Sequence, residues 1–152
     1  MTRRVARRRD GADHPLAATF RRNAAGFHEG AEAILTHHHE GARYFLAIAI
    51  ELALKAYLLD RGISDNWNRV YLRHDLVKAL RFARRAGFIG APAKLPELAM
   101  RLSPYYSVHA ISEMLTHAIG SVCWVEACET VGALIDAVVE ASGADRCREG
   151  AA

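Results

Sequence analysis

Residues 43–59 read Arg-Tyr-Phe-Leu-Ala-Ile-Ala-Ile-Glu-Leu-Ala-Leu-Lys-Ala-Tyr-Leu-Leu, a run in which Glu51 and Lys55 are the only charges after Arg43. Ala and Leu are strong helix formers, and a helix that is apolar on nearly every face must be covered by neighbours on nearly every face. Tyr44 to Leu59 is therefore expected as the central, buried helix of an all-α protein. The run is shorter than the roughly 20 residues a bilayer requires. Its two mid-helix charges would also be costly in hydrocarbon. No membrane association is expected.

Working outward, Pro15 opens a segment from Leu16 to about Leu35 whose apolar positions Leu16, Phe20, Phe27, Ala31 and Ile34 recur at helical intervals. The polar tract Thr36 to Gly41 separates it from the central helix, and two long helices joined so tightly should pack antiparallel. Gly62 stands where a left-handed cap is expected. Ser64 to Tyr71 reads as a polar connection anchored by Trp67. Leu76 to Ala86 describes a third helix ended by Gly87, about Leu98 to Leu102 a short one broken by Pro104, and Ser121 to Ala141 a last one stopping at Gly143. The apolar positions of that last helix include Val125, Val131, Leu134, Ile135 and Val138. The expected architecture is a four- to five-helix up-and-down bundle. It divides the chain into a basic, disordered arm at 1–14, a bundle domain at 15–143 and a flexible tail at 144–152.

Apolar residues make up 51% of the chain and charged residues 24%, which places it among ordinary globular proteins rather than disordered ones. The net charge of +3 is exceeded by Arg3, Arg4, Arg7, Arg8 and Arg9 alone, so the rest of the chain is close to neutral. Such an arm can add non-specific phosphate contacts or be a solvated tail. Cys123, Cys128 and Cys147 are odd in number and lack a CxxC spacing, which argues for reduced thiols and against a disulfide framework or zinc knuckle. No apolar run follows the early arginines, so no export signal and a cytoplasmic setting are expected.

The charged residues of the central helix are the informative ones. Arg43, Ala47, Glu51 and Lys55 fall four apart and are expected to form one row. That row reads either as a paired polar seam or as the wall of a cleft shared with His74 and Asp75. Asp75 also sits where a helix amino terminus wants a carboxylate. Three adjacent imidazoles, His37, His38 and His39, invite a metal reading, but neighbours on one loop cannot converge on one ion, and no metal site is expected. Tyr105 and Tyr106 read as an anchor of a loop to the core, with base stacking as the alternative. No phosphate-cradling glycine loop, dinucleotide fingerprint or Ser-His-Asp order appears, and no cofactor is expected.

Arg43 to Leu59, Gly62, then His74-Asp75-Leu76 with Ala79-Leu80 and Ala86-Gly87 together resemble the HEPN family. The likeness covers about Phe20 to Gly87, and its specific part is the Glu, Lys and His-Asp spacing. The resemblance implies a small, dimeric helical bundle. It also implies one of two occupations: an RNA-cutting toxin or defence protein, or a non-catalytic module binding RNA, a nucleotide or a nucleotidyltransferase-type partner. Catalytic members carry Arg, four to six residues, then His near the start of a late helix, with the pairs of a dimer converging on the phosphodiester. Arg would stabilise phosphate charge while His moves the proton of the attacking hydroxyl.

With seventeen arginines and eight histidines, chance gives about two or three matches to so loose a spacing. Arg22 with His28 and Arg69 with His74 both match, and both lie outside the late helix. Arg101 is too far from His109. His117 has the right gap, but Ser112 stands where Arg is needed, and a neutral hydroxyl cannot supply the missing charge. The expected function is therefore a non-catalytic HEPN-like homodimeric module, for which the resemblance implies a toxin–antitoxin or defence setting, with Arg43, Glu51, Lys55, His74 and Asp75 as its ligand-binding cluster. Two alternatives stay open: a metal-independent endoribonuclease using His117, or Arg69 and His74, and a structural dimerisation bundle.

Overall fold

The computed structural model describes residues 11–111 and 122–151. The basic arginines of the arm, Ser112 and His117 lie outside the described residues. Among the described residues all regular structure is helical: α1 (His14–Ile34), α2 (His39–Asp60), α3 (Asp65–Trp67), α4 (Leu76–Arg85), α5 (Leu95–Tyr106) and α6 (Trp124–Glu149), with a π-helical turn at Asn68–Leu72 following α3. None of these helices is long and apolar enough to cross a membrane.

Helix α2 is the axis of the bundle, and α1, α4, α5 and α6 all pack on it. Leu46, Ile50, Leu54, Leu58 and Leu59 are fully buried around its circumference, as an all-round apolar helix requires. Asp13 caps α1 by accepting from the Leu16 amide at 3.0 Å, and Pro15 occupies the first turn, so α1 starts two residues before the expected Leu16. Ala17, Ala24 and Ala31, seven apart, form the fully buried seam of α1, while Phe20, Phe27 and Ile34 flank it partly buried. Small residues along that seam let the two helix backbones approach.

The antiparallel pairing of α1 and α2 is visible at its closed end. The Asp13 amide donates to the Leu59 carbonyl at 3.3 Å, and the buried Asp60 carboxylate accepts from Arg21 and pairs with His14 Nδ1 at 2.7 Å. At the other end His38 caps α2, its Nδ1 accepting from the Gly41 amide at 2.9 Å. His39 then begins the helix, so the three histidines are divided between turn, cap and helix. Among the described residues no three His, Cys, Asp or Glu side chains are grouped to hold a metal.

Gly62 (φ 83°) and Gly87 (φ 107°) terminate α2 and α4 with paired bonds back into the helix from the glycine's own amide and the amide after it, as their positions in the sequence imply. Several other boundaries differ from expectation. Ser64 to Tyr71 is not an open connection: Ser64 caps α3, which runs straight into the π turn. Helix α5 begins at Leu95 and continues through Pro104. Leu95, Leu98, Leu102 and Tyr106 bury one face of it, and proline in the last turn removes only one intrahelical donor. Helix α6 passes Gly143 and ends at Glu149, because an isolated glycine costs a helix only about 1 kcal/mol relative to alanine. Val125, expected in the core, is 59% exposed. Cys128 is buried, and burial raises its thiol pKa, whereas Cys123 is exposed ahead of α6.

Candidate functional site

The structure splits the expected four-residue row. Steps of four advance about 40° around a helix, so by the eighth residue a side chain has drifted about 80° and about 12 Å along the axis. Arg43 accordingly leaves the face of Glu51: its guanidinium lies 5.0 Å from the centre of the Trp124 ring, where burial lowers its pKa. The face Glu51 does share is reached by steps of four, three and four, from Tyr44 through Ile48 to Glu51 and Lys55.

On that face a buried carboxylate collects three donors. Glu51, 7% exposed, accepts from the Lys55 ammonium, from the Tyr106 hydroxyl and from His74 Nδ1, the last at 3.0 Å. A carboxylate only accepts, so His74 Nδ1 carries the proton of this bond. Lys55 spends a second donor on the Arg73 carbonyl at 2.8 Å, tying the residue before His74 to the same helix. The Glu51–Lys55 pair, a polar seam in one reading and a cleft wall in the other, is the buried floor beneath a half-exposed histidine.

Each outer group arrives by a separate piece of local structure. The π turn ends at Arg73, whose backbone is at φ 50°, ψ −121°, a region that side-chain-bearing residues avoid. Asp75 caps α4, accepting from the Lys78 amide at 2.9 Å and from Ser103, whose hydroxyl in turn accepts from the Leu76 amide at 3.0 Å. Asp75 is thus the expected helix cap, and it fixes where His74 emerges. The end of α5 is closed by His109 in the left-handed region (φ 54°), with the His109 amide bonded to the Tyr106 carbonyl and the Ala110 amide to that of Tyr105. This turn sets the His109 ring 4.9 Å from that of His74 and its Nδ1 3.4 Å from the Tyr44 hydroxyl. Tyr106 stands edge-on to both Tyr44 and His74.

Above this floor opens a groove of about 470 Å³ whose walls include Tyr71, Arg73, His74, Asp75, Lys78 and Ser107. Tyr71 is half exposed and lies against Trp67, with ring centres 5.2 Å apart. The Lys78 ammonium is held over the π turn by the Tyr71 carbonyl at 2.6 Å. The groove therefore combines two cationic side chains, an oriented imidazole and an aromatic face.

Among the residues singled out from sequence, Glu51, Lys55, His74 and Asp75 are brought together, and Arg43 is not. Arg69 is exposed on the π turn and does not line the groove. Arg22 bonds Thr19 while His28 reaches the Cys128 carbonyl at 2.8 Å, so that spaced pair is divided too. Tyr44 and His109 are members that sequence reasoning missed, whereas Tyr106, expected as an anchor to the core, is buried and bonds Glu51. For Tyr44 the signal was its seven-residue step to Glu51; for His109 no local signal points across the chain to His74.

Burial first, then the field of Glu51 and the hydrogen bond to it, push the Tyr106 phenol well above its usual pKa. The folded chain thus holds this proton at pH values where the unfolded chain releases it. Stability from the contact is complete below about pH 10 and declines above it, by at most about 1.4 kcal/mol per pH unit. Tyr106→Phe is expected to flatten that alkaline decline, measured as the difference between urea titrations of the two proteins across the alkaline range.

No protein-family model matches this chain, and no curated protein or solved structure matches it either.

Proposed function

We propose that the chain is a HEPN-like helical module that binds the phosphate and base of an RNA or nucleotide in the groove beside His74. The observation that carries this reading is the convergence of Arg73, His74 and Lys78 with the exposed Tyr71 ring on one opening. Cations supply sequence-independent phosphate attraction, and an aromatic face supplies stacking worth about 1–3 kcal/mol per base. The resemblance at Arg43 to Gly87 supports the same class of ligand. A module of this kind needs no proton transfer, and the buried Lys55 neutralises Glu51 rather than leaving it free as a base.

A second reading has one observation in its favour. A carboxylate on Nδ1 orients His74 and leaves Nε2 as a proton acceptor at the groove, the arrangement a metal-independent ribonuclease would use. Fluorescence anisotropy with a labelled single-stranded RNA, and competition by ATP, separates the readings when cleavage is followed in the same samples. Saturable, salt-sensitive binding of intact RNA that weakens about tenfold in Arg73→Ala and in Tyr71→Ala is expected. RNA cleavage abolished by His74→Ala would transfer the site to the second reading, and absence of binding would remove both.

A further inference from the structure

Two imidazoles from distant parts of the chain stand side by side next to the groove. His74 comes from the turn before α4 and is half exposed, and His109 comes from the left-handed turn that closes α5 and is exposed. Their ring centres are 4.9 Å apart and their planes meet at 66°. Each ring is tied at Nδ1, His74 to the Glu51 carboxylate at 3.0 Å and His109 to the Tyr44 hydroxyl at 3.4 Å. Among the described residues neither Nε2 makes a hydrogen bond.

Metal-ligating histidines are held in this way. An outer partner on one ring nitrogen fixes the tautomer and the ring orientation, and a carboxylate in that place also makes the other nitrogen more basic. In the tautomer that ligates through Nε2, His109 Nδ1 donates to the Tyr44 oxygen, as His74 Nδ1 donates to Glu51. The separation fits as well. With metal–nitrogen bonds of about 2.0–2.1 Å and the ion in the plane of each ring, the centres of two imidazoles on one tetrahedral ion lie about 5 Å apart.

We infer that Nε2 of His74 and Nε2 of His109 together bind one divalent ion of the zinc class, with Glu51 and Tyr44 as their outer partners. Among the described residues no third His, Cys, Asp or Glu is grouped with the pair as a ligand. The site is therefore an open one, whose remaining positions take water or an oxygen of a bound molecule, rather than a closed structural centre. Imidazole favours zinc, copper and nickel, whereas magnesium and calcium require oxygen ligands. Arg73 and Lys78 on the adjoining groove bias further against a hard ion, which would be held by charge alone.

The inference does not rest on RNA or nucleotide binding, and zinc alone is the probe. Zinc is titrated into the full chain by isothermal calorimetry and, in parallel, by NMR of the histidine ring C–H signals. A single site is expected, with the signals of His74 and His109 moving together. His74→Ala and His109→Ala should each weaken binding by at least about tenfold. His37→Ala with His39→Ala should leave it unchanged; His38 is kept because it caps α2. Should His74→Ala lose helix content by circular dichroism, His74→Gln takes its place, since it still offers Glu51 a donor but has no imidazole. Absence of zinc binding, binding that survives loss of either imidazole, ring signals that move for only one of the two, or binding lost in the His37 and His39 variant would each overturn the inference.

Discussion

Glu51→Leu is expected to cost about 3–5 kcal/mol of stability, the range measured when one partner of a buried ion pair is removed. Three donors lose their acceptor at once: the Lys55 ammonium keeps only the Arg73 carbonyl, and the Tyr106 hydroxyl and His74 Nδ1 lose Glu51. Lys55→Met should cost less, because Glu51 retains the Tyr106 hydroxyl and His74 Nδ1 as donors. The double variant Glu51→Leu with Lys55→Met should be more stable than Glu51→Leu alone, since it strands no ammonium in the core. Urea denaturation of the four proteins closes a double-mutant cycle. An exposed pair at this spacing would return a coupling of only about 0.2–0.5 kcal/mol. A value that small would mean that Glu51 and Lys55 are solvated and that the floor of the site is not built as described.

The same cycle separates what the central helix does for the fold from what it does for the groove. In the double variant the helix remains packed on all sides, but His74 loses the carboxylate that orients it. RNA or nucleotide binding should then fall while stability is largely recovered. A structural seam alone would give the stability pattern without the loss of binding.

How far the sequence disclosed this arrangement depends on the range of the interactions. The central helix was legible because an apolar run with good helix formers has one outcome, and Gly62 and Gly87 marked ends that need a positive φ. Asp75 was legible as a cap because capping is settled within four residues. The long α5 was not, because Pro104 outweighs the burial of Leu95, Leu98, Leu102 and Tyr106 in any local reading. Nor could spacing reveal that Tyr106 and His109 meet Glu51 and His74, since their approach depends on how α5 crosses α2. Arg43 was assigned to the wrong face for a geometric reason: a row of fours spirals off the face it starts on.

Arg73→Gly is expected to stabilise the fold by up to about 2.5 kcal/mol and to weaken ligand binding at the same time. The backbone of Arg73, at φ 50° and ψ −121°, is one that glycine adopts freely and that other residues adopt at a cost of about 1–3 kcal/mol. Glycine gives back part of that gain through greater freedom in the unfolded chain, by about 0.5–1 kcal/mol. The usual terminator at such a position is glycine, as at Gly62 and Gly87 in the same protein, so the strain here goes with a side chain that the groove uses. The strain is held from two sides, by Lys55 on the Arg73 carbonyl and by the π turn through the Arg73 amide, which reaches the Asn68 carbonyl at 2.9 Å. Under the proposed function, strain maintained in this way next to the groove is accounted for as conformation that serves binding rather than stability. Thermal denaturation and RNA anisotropy on one preparation of the variant decide the matter. A higher midpoint with weaker binding fits the account, whereas a lower midpoint would mean that the Arg73 side chain stabilises the turn more than its backbone strains it.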